Sequence, residues 1–287
     1  MGEPSSESLR IAAVSFRPEE EPRHNLGRIC TTTRECLRDG AGLIVFPECA
    51  VQGYPLGLGK PNLSQYEHHA RFAEPIPGPV TEALQAALAG SGAVVAVGMT
   101  EQPDERAGEA GRLYNAIALV AADGVIARYR KIHTGGVEKC LWNRGNRWVV
   151  ADSRAGRLGL LICYDLVFPE AARSLALAGA EILVLSTAWA NAAEETFARG
   201  YDLFTRSRAL ENQLFLVSAN LVDGPGVGFY GHSRIVDPTG HVLAEAVGEG
   251  VACAIISLRQ DLIRFRARSW FGQVFLRDRE PATYATD

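Results

Sequence analysis

The stretch RLGLLICYDLVFPEAARSLALAGAEILVLS occupies residues 157–186 and contains a complete structural unit. The apolar run 158–162 has the length of a buried strand. Pro169 suits the first turn of a helix, which we predict over 169–178, and a glycine then ends that helix. The apolar run 182–186 predicts a second strand. This order of elements predicts an α/β unit in which helices cover a sheet of buried strands.

The same order occurs twice earlier in the chain. Predicted helices at 25–39 and 81–89 each end near a glycine, and apolar strands follow them at 41–46 and 93–99. A first strand is predicted at 9–16. Three repeats of a helix, a glycine and a strand favour an α/β architecture over an all-helical or all-strand one.

Antiparallel hairpins make up the second pattern. Tight turns separate paired strands at 113–120 and 125–131, and again at 231–236 and 241–246, and a further strand is predicted at 251–258. Each half of the chain therefore mixes parallel units with hairpins. Two facing mixed sheets with helices on the outside satisfy both patterns.

The domain boundaries follow from these elements. We predict a flexible N-terminus at 1–8, a single domain at 9–258 and a C-terminal arm at 259–287, because no long linker divides the chain. The arm is rich in arginine and aromatic residues without clear periodicity, including Trp270, Phe271 and Phe275. It is expected to pack either on a partner subunit or back on its own domain.

Composition excludes several classes of protein. The chain has 287 residues, is 47% hydrophobic and 22% charged, and has a formal net charge of -4. Without a basic block it is not expected to bind nucleic acid or an anionic membrane. No apolar run reaches the roughly 18 residues that a membrane span needs, and the N-terminus lacks signal-peptide features. The six cysteines lack CxxC or zinc-type spacing, which favours free thiols in the cytoplasm.

Three reactive side chains share one position, the end of a predicted strand. They are Glu48, Lys131 and Cys163. Because functional sites of α/β folds gather at the carboxyl ends of strands, these side chains are expected to meet. A carboxylate can take a thiol proton, and an ammonium can stabilise an oxyanion. Taken singly, Glu48 and Lys131 would read as surface charges and Cys163 as an ordinary buried cysteine.

The pKa of the Cys163 thiol is a separate expectation. Cys163 stands between a strand and a predicted helix, where backbone N–H groups and the helix dipole favour the thiolate. We therefore expect its pKa below the usual value of about 8.5.

Seven short motifs in a fixed order resemble the nitrilase, or carbon–nitrogen hydrolase, superfamily. The resemblance covers about 9–258, nearly the whole chain. The motifs are FPE at 46–48, GYP at 53–55, YRKIH at 129–133, CYD at 163–165, FPE at 168–170, RALEN at 208–212 and GHSRIVDPTG at 231–240.

This resemblance implies a four-layer α-β-β-α sandwich and a catalytic triad of Glu48, Lys131 and Cys163. It also implies a second glutamate, Glu138, that positions Lys131 and the substrate or water, and an oxyanion contact from the Tyr164 backbone N–H. No metal or organic cofactor takes part, and dimers or larger homo-oligomers are expected. Five further residues are implied to be supporting rather than reactive: Asp165, Glu170, Arg173, Glu211 and Asn212.

Within that superfamily, CYD after the strand resembles the amidase branches. Amide hydrolysis through a thioester on Cys163 is therefore the first expectation, with a nitrile or an N-carbamoyl compound as the alternative substrate of the same triad. A catalytically silent binding protein of this fold is the alternative from another class.

The substrate pocket is the least determined part of the prediction. The segment STAW at 186–189 departs from the superfamily, whose members often have a proline early in this stretch. Aromatic pocket walls, which would favour an apolar or aromatic substrate, are proposed at Tyr54, Trp142, Phe168 and Trp189. Core packing is the alternative role for each of them.

Overall fold

The structure is a computed structural model that describes residues 8–55, 63–103, 109, 111–190, 195–222, 228–268 and 273–284. The helices are α1 Pro22–Arg38, α2 Leu63–Phe72, α3 Pro79–Leu88, α4 Glu138–Leu141, α5 Pro169–Leu177, α6 Glu195–Asn212 and α7 Leu258–Arg268. The strands are β1 Leu9–Ser15, β2 Leu43–Val45, β3 Val94–Glu101, β4 Tyr114–Ala121, β5 Gly124–Arg130, β6 Val150–Ser153, β7 Gly156–Ile162, β8 Ile182–Thr187, β9 Phe215–Asn220, β10 Ser233–Val236, β11 Val242–Ala246 and β12 Gly250–Ile256.

The strands form two mixed sheets of six strands each. The first has the order β12-β1-β2-β3-β4-β5, and the second has the order β11-β10-β9-β8-β7-β6. In each sheet three neighbouring strands are parallel, namely β1, β2 and β3 in the first and β7, β8 and β9 in the second. The remaining pairs are antiparallel. The predicted mixture of parallel units and hairpins is confirmed.

Alternation along the strands creates the layers. Leu158, Leu160 and Ile162 of β7 face a core that also contains Leu43 and Val94 of the first sheet. That core lies between the two sheets. Leu161 points the other way, into a cluster with residues of α5 and α6.

A third cluster covers the outer face of the first sheet with helices α1 and α3. The layers therefore run helix, sheet, sheet, helix. The α-β-β-α sandwich is confirmed.

The C-terminal arm differs from the prediction at its start. Residues 258–268 form helix α7 rather than a strand end and an irregular arm. The reason is the helical spacing of Leu258, Leu262 and Phe265, which all pack against the core between the sheets. The backbone N–H of Ser257 donates to the carboxylate of Asp261, which ends β12 and starts the helix.

Further along the arm, chain segments pack on the same molecule. The N–H of Phe275 donates to Oε1 of Gln213, whose Nε2 donates to the carbonyl of Gln273. Trp270, Phe271 and the N-terminal residues 1–7 lie outside the described residues. No helix in the described ranges is long and apolar enough to span a membrane.

Gly98 of β3 allows the close approach that places Glu48. A Cβ atom at this position would collide with the carbonyl oxygen of Pro47 and lie 2.6 Å from the Cα of Glu48. The N–H of Gly98 donates to the Pro47 carbonyl at 3.2 Å. The strand thus presses against the turn that carries Glu48, and any larger residue would displace that turn.

Candidate active site

Glu48 is completely buried in the turn after β2, where three donors hold its carboxylate. Oε1 accepts from Nδ2 of Asn115 at 2.6 Å and from Nζ of Lys131 at 2.7 Å. Oε2 accepts from the backbone N–H of Ala188 at 2.9 Å. Asn115 belongs to the first sheet and Ala188 follows β8 of the second. The carboxylate is therefore fixed from both sheets.

Lys131 follows β5, and its side chain is 1% exposed. Its backbone N–H donates to the Asn115 carbonyl at 2.8 Å, which continues the pairing of β4 and β5. Nζ donates to Glu48 and also to Oε1 of Glu138 at 2.6 Å. An ammonium has three N–H donors, so one remains for a ligand.

Glu138 is the first residue of α4 and is likewise buried. Besides Lys131, its Oε1 accepts from the hydroxyl of Tyr54 at 2.8 Å. Its Oε2 accepts from the backbone N–H of Gly135 at 2.8 Å. Glu138 therefore ties the loop before α4 to Lys131 and Tyr54.

Cys163 follows β7 directly and begins a turn of 3-10 helix at Cys163–Val167. Its φ angle is +42°, in the left-handed region that side chains other than glycine seldom adopt. A residue held there costs about 1–3 kcal/mol, so the surrounding structure must enforce the conformation.

Asp165 supplies much of that enforcement. Its fully buried carboxylate accepts from the backbone N–H groups of Ile162 and His133, each at 3.0 Å, and from the Tyr129 hydroxyl at 2.7 Å. The His133 ring nitrogen Nδ1 also lies 2.8 Å from Oδ1. These bonds fix both sides of Cys163, which is the supporting role implied for Asp165.

The surrounding charges and burial give Lys131 and Glu48 different protonation behaviour. Burial lowers the pKa of Lys131, but the carboxylates of Glu138 and Glu48 outweigh burial and raise it well above its ordinary value. Burial raises the pKa of Glu48, while Lys131 and Asn115 oppose the rise without cancelling it. Lys131 thus stays an ammonium, and Glu48 is tuned toward accepting and returning a proton.

The thiol differs from the prediction. The pKa of Cys163 is raised rather than lowered, first by burial and then by the negative charge of Glu48, while Lys131 and the Thr187 hydroxyl lower it to a smaller degree. Burial, followed by two carboxylates beside a single ammonium, therefore sets the direction of this shift. The resting sulfur is therefore a neutral thiol that needs a base.

A cavity of about 440 Å³ opens in front of Lys131, Glu138 and Cys163. Among the described residues no group of three or more His, Cys, Asp and Glu side chains is arranged to hold a metal ion. The other described residues along the cavity are Tyr54, Pro55, Gly135, Gly136, Val137, Tyr164, Val167, Ala188, Trp189, Ala190, Thr196, Phe197, Gly200, Phe204 and Phe229.

Of the four proposed walls, Tyr54 and Trp189 line the cavity, whereas Trp142 and Phe168 do not. Trp142 is buried behind Tyr54, with the two ring centroids 6.0 Å apart. Phe168 is stacked on the His133 ring at a centroid distance of 3.8 Å. Core packing therefore describes Trp142 and Phe168.

Four of the residues implied to be supporting lie on α5 and α6. Arg173 donates to the Glu211 carbonyl at 2.8 Å, which links the two helices. Asn212 is buried and donates to the Arg208 carbonyl within α6. Glu170 is exposed in the first turn of α5. None of these side chains lines the cavity.

Sequence reasoning missed two groups that contact Glu48, Asn115 and the N–H of Ala188. Asn115 could have been noticed as a buried amide in an otherwise apolar predicted strand. A backbone N–H has no sequence signal. Thr187 was also missed: its buried hydroxyl makes no hydrogen bond within the described ranges, yet it lies close enough to Cys163 to lower the thiol pKa.

The fold and the buried site together define an enzyme class. The family model described as carbon-nitrogen hydrolase matches residues 10–266. The chain therefore belongs to the carbon–nitrogen hydrolase family, within the nitrilase superfamily. The expectation of an enzyme acting on carbon–nitrogen bonds is confirmed, and a catalytically silent protein is not supported.

Individual relatives extend this result. An (R)-stereoselective amidase from Pseudomonas sp is 33% identical over 274 residues, covering 94% of this chain and 91% of its own. The omega-amidase NIT2 of Homo sapiens is 30% identical, with 88% and 90% covered. The crystal structure of Saccharomyces cerevisiae Nit3, from branch 10 of the nitrilase superfamily, superposes with a TM-score of 0.80 at 24% identity, covering 93% of this chain and 96% of that one.

The hydrogen bond from Asn115 gives a pH-dependent prediction. Asn115→Ala removes a donor that lowers the pKa of Glu48, so that pKa rises further. If Glu48 must be ionised to act as a base, the acidic limb of kcat/KM moves to higher pH. At neutral pH kcat/KM should fall roughly ten- to a hundredfold, since a hydrogen bond to a charged group contributes about 1.5–3 kcal/mol.

The pH profile of amide hydrolysis measures this effect. Asn143→Ala is the matched control, because Asn143 is exposed and donates to the Leu113 carbonyl instead. An unchanged acidic limb in Asn115→Ala would show that Glu48 is not the titrating base.

Proposed function

We propose that the protein is a thiol amidase, which hydrolyses an amide to a carboxylic acid and ammonia or an amine through a thioester on Cys163. The observation that carries this proposal is the Lys131 ammonium bonded to both Glu48 and Glu138 beside the cavity that Cys163 lines. The amidase names of the relatives support an amide as substrate. No step uses a metal or an organic cofactor.

The first step is attack by sulfur. Glu48 accepts the thiol proton of Cys163 as the sulfur bonds to the amide carbon, and the carbonyl oxygen becomes an oxyanion. The neutral resting thiol and the raised pKa of Glu48 support this transfer, because the thiol needs a base and a carboxylate of raised pKa is the better proton acceptor.

The oxyanion needs donors that are already in place. The third N–H of Lys131 is one donor, and the backbone N–H of Tyr164 is the other. Tyr164 is the second residue of the 3-10 turn, where an N–H lacks a partner inside its own turn. Losing one such donor typically costs about 3 kcal/mol in the transition state.

The remaining steps return the enzyme to its starting state. Glu48 gives its proton to the nitrogen, the carbon–nitrogen bond breaks, and the amine leaves a thioester on Cys163. Glu48 then takes a proton from water as the water attacks the thioester. Collapse of that intermediate breaks the carbon–sulfur bond, releases the acid, and lets the sulfur regain its proton from Glu48. Glu138 positions Lys131 throughout.

We expect Cys163→Ala and Glu48→Gln each to lose at least about a thousandfold in kcat, because nucleophile and base act as a unit. Ammonia release on a panel of primary amides, nitriles and N-carbamoyl compounds measures this. Cys140→Ala is the control, since Cys140 is an exposed thiol in the nearby helix α4.

Amide turnover that survives in Cys163→Ala would show that the nucleophile is wrong. If nitriles or N-carbamoyl compounds are hydrolysed and amides are not, the enzyme is a nitrilase or a carbamoylase that uses the same three residues.

We also propose a homodimer or a larger homo-oligomer. Leu177 of α5 and Leu203 of α6 are 52% and 55% exposed on adjacent helices, which supports a contact there. Sedimentation equilibrium should give at least twice the 31.0 kDa chain mass, and Leu203→Glu should lower it. A monomeric wild-type protein would contradict this.

A cytoplasmic location is proposed as well. All six cysteines are free thiols, a state that a reducing compartment preserves. Fractionation that places the protein in an oxidising compartment would overturn this.

A further inference from the structure

The walls of the cavity differ in character from its reactive end. Beyond Lys131, Glu138 and Cys163, the described residues that line the cavity contribute mainly aromatic and aliphatic side chains. Prominent among them are Val137, Val167, Trp189, Phe197, Phe204 and Phe229. Among the described residues that line the cavity, Lys131 and Glu138 are the only charged ones.

On two of the aromatic walls, Trp189 and Tyr54, the polar atom is already engaged. The indole N–H of Trp189 donates to the backbone carbonyl of Phe197 at 2.8 Å. The hydroxyl of Tyr54 donates to Glu138 at 2.8 Å. Both rings therefore present carbon to the cavity, and their donors serve the protein rather than a ligand.

The charges at the reactive end are unfavourable to an anion. One ammonium, Lys131, stands beside two carboxylates, Glu48 and Glu138, and the thiol beside them is neutral. A carboxylate on the acyl group would leave water for apolar walls whose described residues offer no cation. An uncompensated buried charge of this kind costs several kcal/mol.

We propose that the substrate is an uncharged amide with an apolar acyl group, a short aliphatic chain or one aromatic ring, and that the cavity rejects amides whose acyl group carries a carboxylate. This inference rests on the proposed amidase function. A volume of about 440 Å³ lies within the usual range for sites that take small organic ligands. Specificity then comes from burial of the apolar acyl chain against the cavity walls, while the reactive end contacts only the amide group.

Hexanamide and the monoamide of adipic acid form a matched pair, because both have six carbons and differ only at the far end, methyl against carboxylate. At pH 8 we expect kcat/KM to favour hexanamide by at least about a hundredfold. Equal or better turnover of the adipic monoamide would overturn the inference while leaving the amidase function intact.

A charge placed in the wall should change this ratio. Phe197 lines the cavity and is 46% exposed, so Phe197→Arg can hold a solvated cation at its mouth. We expect this variant to reduce the preference for hexanamide at least tenfold, whereas Phe197→Leu keeps the preference. An unchanged ratio in Phe197→Arg would contradict rejection by charge.

Binding separates this inference from the proposed function. Calorimetry with Cys163→Ala, which cannot form the thioester, compares the affinities of the two amides without turnover. Preferential binding of hexanamide, together with no amide hydrolysis by the wild type, would sink the proposed function and support the apolar cavity. Failure of hexanamide to bind and to react would overturn the inference.

Discussion

The buried ammonium of Lys131 between two carboxylates is the interaction on which the rest of the site depends. The desolvation cost of an isolated charge at this depth would be prohibitive. A buried ion pair or triad is stable only when its hydrogen bonds have nearly ideal geometry. Those bonds come from both sheets. Lys131 and Glu48 follow strands of the first sheet, while the N–H of Ala188 follows β8 of the second. Ser186 of β8 also donates to the carbonyl of Phe46 at 2.8 Å, so the sheets are joined at the site itself.

The fold could be predicted because its signal is local. Apolar strand runs, helix-ending glycines and tight turns are properties of neighbouring residues, and they placed Glu48, Lys131 and Cys163 at strand ends. Helix α7 was missed although Leu258, Leu262 and Phe265 have helical spacing, because the arginines between them obscured the pattern.

The site could be predicted only in part, because its chemistry depends on contacts between distant parts of the chain. Asn115 and Glu48 are 67 positions apart, and Ala188 and Glu48 are 140 apart. The pKa of Cys163 follows from burial and from Glu48, neither of which is visible around the CYD motif. The cavity walls likewise come from segments that are far apart in the sequence. Their order along the chain therefore does not show that Phe204 and Phe229 line the cavity, whereas Trp142 and Phe168 pack elsewhere.

The central claim is that a neutral thiol at Cys163 becomes an acyl thioester. Rapid acid quench during turnover of hexanamide, followed by peptide mass spectrometry, tests it most directly. The account predicts a hexanoyl adduct on the peptide that contains Cys163, strongly reduced in Glu48→Gln. An adduct on Cys49 or Cys140 instead would contradict it. So would turnover in which hydrolysis of the thioester is rate-limiting and yet no cysteine carries an adduct.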